Sequence, residues 1–189
     1  MKLSILIATI EGREQVFSEL CAYINKQIEQ AGLLGEVEIV SIKDNKEMNR
    51  GFKRQRMLEL AKGDFVSHVD DDDWLKDNYV SIIYEALKSN PDCVGFNVLC
   101  DFPNGKFKAV VSTKYKSWES NQDGYDYVRS PNHLAVIKRE HALKIGFKDI
   151  DFAEDHDFSI RLVDSGLLQK EIFIDEYLYT YRFDPNKKC

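Results

Sequence analysis

The stretch Gly63-Asp-Phe-Val-Ser-His-Val-Asp70-Asp71-Asp72-Asp73-Trp74 decides the reading of this chain. A short apolar run rich in Val and Phe breaks off into four consecutive aspartates, the pattern of a buried strand that delivers carboxylates to its carboxyl end. Open α/β sheets bind their ligands at that end. Four adjacent carboxylates repel one another, and a hard divalent cation with oxygen ligands is the simplest partner that offsets the repulsion. If the segment stays extended, side chains alternate, so Asp70 and Asp72 share one side and form one site, with Asp71 and Asp73 on the other. The competing reading is a solvated acidic turn in which Asp73 or Asp77 caps the following helix. An EF-hand loop started at Asp70 fails, because its turn position falls on Leu75 and its last ligand position on Ser81.

Outward from this stretch the chain alternates strands and helices. Leu3 to Ile10 reads as a buried parallel strand, Glu14 to Ala31 as an amphipathic helix with Val16, Leu20, Tyr23, Ile24 and Ile28 inward, and Val37 to Ile42 as a second strand. Such a strand, helix, strand unit predicts neighbouring parallel strands with a right-handed crossover. The next helix, Arg50 to Lys62, sets Phe52, Met57, Leu58 and Leu60 among Arg50, Lys53, Arg54 and Arg56. Cations at a helix N-terminus oppose the macrodipole, so they point to an anion nearby. Beyond Trp74 come a helix over Asp77 to Ser89, a strand from Cys93 to Leu99 and a returning arm from Phe107 to Thr113. Lys114 to Pro131 shows no periodicity and reads as a long loop.

Leu134 to Ile137 is a short strand candidate, followed by a helix from Arg139 to Ile145. The last helix opens around Phe152-Ala-Glu-Asp-His, where Asp155 falls on the same face as Phe158 and Leu162. A carboxylate on the inward face of a first turn is a candidate for chemistry. The competing reading is that Glu154, Asp155 and Asp157 simply favour the helix N-terminus by charge and capping, which suits Asp157 better than Asp155. Lys170 to Tyr181 closes the chain as an aromatic strand before a short polar tail.

At 189 residues, 43% hydrophobic and 31% charged, the chain is long enough for one full core. Its net charge of −6 opposes a broad phosphate-binding surface, so a nucleic-acid partner is possible but not indicated. Cys21, Cys93, Cys100 and Cys189 show neither CxxC spacing nor a zinc pattern and fit reduced thiols. No stretch approaches the roughly 20 apolar residues of a membrane span, and the first apolar run is too short for a signal peptide, so a soluble, cytoplasmic protein is expected.

Taken together, these motifs resemble the family 2 inverting glycosyltransferases with the GT-A fold. The resemblance implies an α/β, Rossmann-like nucleotide-diphospho-sugar transferase fold, a mixed sheet flanked by helices. It implies a single domain over 1–189, with a nucleotide-sugar-binding half (1–100) and an acceptor-binding and catalytic half (101–189), and without the acceptor domain or membrane helices that many relatives carry. Thr9, Glu11 and Arg13 look like the first nucleotide loop, and Lys43-Asp44-Asn45 like the second, although Asn stands where Gly-Ser is commoner. Gly51 to Gly63 is similar to the helix under the donor base, with Lys53 and Arg54 as donor contacts. Asp70-Asp71-Asp72-Asp73-Trp74 fits the DxD motif, Glu154-Asp155 the ED motif, and Tyr181-Arg182 the family's ending.

The resemblance further implies a Mn²⁺ or Mg²⁺ ion held by Asp72 with Asp70, bridging the phosphates of a nucleotide sugar, with a UDP-sugar favoured. Asp44 and Glu11 would hold base and ribose, Asp70 and Asp71 would join the donor site, and Asp155 would take the proton of the acceptor hydroxyl. His133 is the candidate third metal ligand, and His156 a weaker one; Trp74 and Trp118 are candidates to line a sugar site. The expected acceptor is a glycan, with a hydroxymethylated DNA base as a minor alternative. A nucleotidyltransferase would need no ED base and would release pyrophosphate, and a silent nucleotide-sugar-binding module would lack the geometry of one motif.

Overall fold

The computed structural model describes residues 1–183. Cys189 and the polar tail lie outside the described residues. The chain runs β1 (Leu3–Ile10), α1 (Glu14–Gln30), β2 (Val37–Asp44), α2 (Arg50–Leu60), β3 (Phe65–His68), β4 (Trp74–Leu75), α3 (Tyr79–Leu87), β5 (Cys93–Phe102) and β6 (Gly105–Val111). It continues through β7 (Glu119–Gln122), β8 (Tyr125–Arg129), β9 (Val136–Lys138), α4 (Arg139–Ile145), α5 (Glu154–Asp164) and β10 (Glu171–Arg182). The strands join into one mixed sheet in the order β2-β1-β3-β9-β5-β6-β8-β7, with β10 pairing β5 and β4 off this path. As the first crossover predicts, β1 pairs in parallel with β2, and also with β3.

Continuous apolar runs make the centre of this sheet. Leu3, Ile5, Leu6 and Ile7 are wholly buried, as is Phe65, and Leu20, Ile24, Ile83 and Leu87 bring α1 and α3 into the same core. Val16, expected inward, instead faces solvent at 38% exposure, and so do Phe52 at 38% and Leu60 at 52%. In α2 the buried face belongs to Gly51, Lys53, Arg54, Met57 and Leu58, so two cations displace two hydrophobes from it.

The segment after Val111 is more ordered than its composition suggests. β7 and β8 form a hairpin, turning at Asp123-Gly124, where both residues have positive φ. Asp-Gly is a strong hairpin signal. Every residue of β7 is exposed, so no apolar alternation marks it in the sequence. The placement of β9 is the topological step that matters for function. It runs antiparallel between β3 and β5, so the residues leading into it arrive at the carboxyl end of β3. The His68 N–H accordingly donates to the His133 carbonyl, 3.2 Å away.

Gly63, which follows the sequence-predicted helix Arg50 to Lys62, does not cap it. The helix already stops at Leu60, and a Cβ on Gly63 would lie 2.6 Å from the Ser4 nitrogen, so a close approach of chains requires glycine there. None of the helices is long and apolar enough to cross a membrane, among the described residues.

Candidate active site

The four aspartates do not stay extended. The Asp73 N–H donates to the Asp70 carbonyl at 3.1 Å, closing a turn, so strict alternation is lost and each carboxylate faces different partners. Asp71 is buried against the end of β1, accepting from Thr9 Oγ1 at 2.6 Å and from Arg13 Nη1 at 2.7 Å. Arg13 also reaches Asp72 at 3.4 Å. Asp73 is buried and caps nothing: its Oδ2 accepts from the Tyr179 hydroxyl at 2.6 Å and its Oδ1 from the Arg182 N–H at 2.7 Å. The same Tyr179 oxygen accepts from the Asp70 N–H at 3.1 Å. Asp77, the other candidate cap, accepts from Tyr23 instead. Pairing of β4 with β10 through Leu75 and Tyr179 brings this tyrosine over the turn.

The anions announced by the basic start of α2 are the protein's own carboxylates. Lys53 Nζ lies 2.6 Å from Asp44 Oδ1, and Asp44 Oδ2 accepts from the Met48 N–H at 2.8 Å. Burial disfavours the Asp44 anion, but Lys53 and that amide outweigh it and hold the carboxyl below its usual range. Glu11, at the neighbouring strand end, is exposed, and its N–H donates to the Asp44 carbonyl. Arg54 is buried between the two acidic motifs, with Nη2 2.9 Å from Asp70 Oδ1 and Nε 3.1 Å from Glu154 Oε1.

His133 makes the second link. Its Nε2 lies 3.6 Å from Asp70 Oδ2 and its Nδ1 3.3 Å from Asp155 Oδ2. Burial and Arg54 push the imidazole towards neutrality, but Asp155 and Asp70 prevail and raise it to about 9. His133 therefore stands within ion-pair distance of both carboxylates and links the acid turn to α5. Asp155 is partly buried, its side chain 24% exposed, whereas Glu154 beside it is buried along with Phe158 and Leu162. Burial would raise the Asp155 pKa, yet His133, Arg54 and the His156 N–H lower it to about 2. His156 packs against the Trp118 ring, 4.8 Å between centroids and 62° between planes.

The residues fit a divalent ion held in the manner of Mg²⁺, through one or two carboxylates plus substrate phosphates and water. No group of three His, Cys, Asp or Glu side chains able to cage a metal occurs among the described residues. Asp70 and Asp72 do present carboxylates that remain 30% and 23% exposed. Negative charge at this turn is undercompensated. Burial and the charges of Asp70 and Asp72 push Asp73 well above the usual carboxylate range.

Residues 23–162 match the sequence profile described as glycosyl transferase family 2. The chain belongs to that family. Among solved structures, it is similar to S. aureus TarS 1–349 in complex with UDP-GlcNAc, with a TM-score of 0.70 and 16% identity over 99% of this chain and 60% of that one. It is also similar to the catalytic domain of Drosophila beta1,4-galactosyltransferase 7 in complex with xylobiose, at a TM-score of 0.62 and 15% identity over 100% of this chain and 76% of that one. At these identities the likeness is one of fold, and it places this family member in the GT-A class. The chain spans about three fifths of the TarS 1–349 structure. No curated protein sequence matches it.

Sequence reasoning missed Tyr179 and the bridging role of Arg54. Tyr179 is one of several tyrosines in an aromatic strand, and only the pairing of β10 with β4 singles it out. For Arg54 a signal existed, since it belongs to the basic cluster of α2, but spacing could not name its partners 16 and 100 residues away.

Proposed function

We propose that this domain is a metal-dependent, inverting glycosyltransferase that moves a sugar from a UDP-sugar to a hydroxyl of a saccharide acceptor. One observation carries the reading: Arg54 and His133 tie Asp70 of the acid turn to Glu154 and Asp155 of α5, so donor carboxylates and candidate base form one connected site. Family membership and the UDP-GlcNAc and xylobiose complexes of the two fold neighbours agree with it.

Residues 1–100 form the donor half and 101–189 the acceptor and catalytic half. Thr9 and Arg13 hold Asp71 and so fix the turn, while Glu11 and Asp44 border the base and ribose. Lys53 keeps Asp44 in place. Asp70 and Asp72 would hold Mn²⁺ or Mg²⁺, which when bound neutralises the diphosphate as it leaves. Asp155 is ionised throughout the neutral range and accepts the proton of the acceptor hydroxyl. The freed oxygen attacks the anomeric carbon from the face opposite the diphosphate, its bond to the sugar forms as the sugar–phosphate bond breaks, and configuration inverts. Glu154 is occupied by Arg54 and positions the start of α5. Free Cys21, Cys93 and Cys100 suit a reducing, cytoplasmic setting.

Thermal shift against UDP with Mn²⁺, and again with EDTA, tests the donor half, since a ligand of the native state raises its melting temperature. Asp155→Asn is expected to keep the UDP shift and lose transfer at least 10²-fold, in line with general-base contributions. Asp72→Ala is expected to lose the metal-dependent shift. Wild-type turnover in Asp155→Asn would refute the base assignment.

A further inference from the structure

Outside the acid turn, an unbroken strip of aromatic side chains and one arginine runs over the second half of the protein. It begins next to Asp155, where Trp118 packs on His156 and its Nε1 donates to Ser159 Oγ of α5 at 3.2 Å. The Arg129 guanidinium lies 5.0 Å from the Trp118 ring and 5.2 Å from the Tyr127 ring. Tyr127 leads on to Phe102 at 6.2 Å, and Phe102 to Tyr181 and Phe183 at 6.0 Å each. Phe102, Tyr181 and Phe183 line an open cleft of about 530 Å³, within the size range of ligand sites. None of these six side chains is fully buried, and Phe183 is 50% exposed.

We propose that this strip is the acceptor lane and that it takes a saccharide chain of at least two sugar residues, its reacting end at Asp155. The assignment rests on the transferase reading and adds the acceptor's length and its path.

Three features favour a saccharide over an apolar protein segment. A sugar offers a C–H face to a ring and hydroxyls at its rim, and here ring faces alternate with the donors of Arg129, Tyr127 and Tyr181. Arg129 is half-buried, yet among the described residues no carboxylate pairs with it. Its Nη1 donates to the Glu119 and Val128 carbonyls, and its remaining N–H groups are left for a ligand. The strip is also continuous with the site at both ends. Trp118 abuts α5 beside the base, and Tyr181 feels the charges of Asp73, Asp70 and Asp72 along with its burial, which together push its hydroxyl up to about 12.

The test uses the full chain with methyl glycosides, disaccharides and tetrasaccharides of the cello-, xylo- and chito- series, read by tryptophan fluorescence and saturation-transfer NMR. In at least one series the tetrasaccharide is expected to bind ten-fold or more tightly than the methyl glycoside. Phe183→Ser and Arg129→Gln should each lose most of that gain, and both substitutions are at side chains that reach solvent. The UDP and Mn²⁺ thermal shift reads the donor half separately. Equal affinity for short and long saccharides, binding by none of the three series, or undiminished length dependence in both variants, each with the UDP shift intact, overturns the lane alone. A missing UDP shift with length-dependent saccharide binding sinks the transferase reading and upholds the saccharide surface.

Discussion

Tyr179→Phe removes one oxygen and tests whether the acid turn is held from β10. That oxygen donates to Asp73 at 2.6 Å and accepts from the Asp70 N–H at 3.1 Å, in a side chain 1% exposed. Without it, a buried amide and a buried carboxyl oxygen both lose their partner, and each such loss costs about 1–3 kcal/mol. Asp73 keeps only the Arg182 N–H. The expected loss of stability is therefore about 2–6 kcal/mol. Tyr79→Phe is the matched control, because its equally buried hydroxyl makes one neutral hydrogen bond, to Ser67 Oγ at 2.8 Å. Its loss strands one buried hydroxyl, at about 1–3 kcal/mol, roughly half of the Tyr179 effect. Urea unfolding followed by tryptophan fluorescence gives both values, and UDP titration in Mn²⁺ reads the turn directly. Tyr179→Phe should weaken UDP at least ten-fold and Tyr79→Phe should leave it unchanged. Equal stability losses in the two variants, or wild-type UDP affinity in Tyr179→Phe, would refute the argument.

Asp92 ties β5 to β9, α4 and β10, accepting from Lys138 and His141 on one oxygen and from the Gln169 and Lys170 N–H groups on the other. Burial alone would raise its pKa, but these partners lower it from 3.8 to about 2. A depressed carboxyl stabilises the fold above its unfolded value and loses that stabilisation as pH falls towards the folded one. Asp92→Asn should therefore cost about 2 kcal/mol at pH 7 and progressively less between pH 4 and pH 2, as urea melts across that range would report. At Gly51 an added Cβ would lie 1.9 Å from the Lys148 carbonyl oxygen, so Gly51→Ala should displace the 148–151 backbone. Because that backbone leads into Glu154 and Asp155, turnover should fall further than UDP affinity, and a steady-state comparison of the two would check it.

Much of this architecture was legible because the deciding segments are strongly patterned. The largely apolar runs at Leu3–Ile10 and Phe65–Val69 read as buried strands, and helical spacing in α1, α3 and α5 is regular. The Asp-rich strand end and the first turn of α5 both named carboxylates that the fold brings together. What stayed hidden depends on contacts distant in sequence or on conformation beyond simple periodicity. The turn at Asp70–Asp73 replaces an extended segment because Tyr179 and the Arg182 amide draw Asp73 inward. β7 escaped notice because a polar edge strand has no buried face. The basic cluster pointed to an anion, but nothing local reveals Asp44, Asp70 or Glu154 as the partners of Lys53 and Arg54.

The docking of β10 over the acid turn also orders events during synthesis. The Tyr179 to Asp73 bond spans 106 residues, and Leu75 of β4 takes Tyr179 as its strand partner. Contacts so distant in sequence form late, after the chain between them has closed its loop. A ribosome-bound chain that has released β1 to β5 therefore carries all four aspartates without the turn that arranges them. The contacts that hold Asp73 and the Asp70 amide arrive only with the last strand, and a stalled chain lacking β10 should display an open acidic loop.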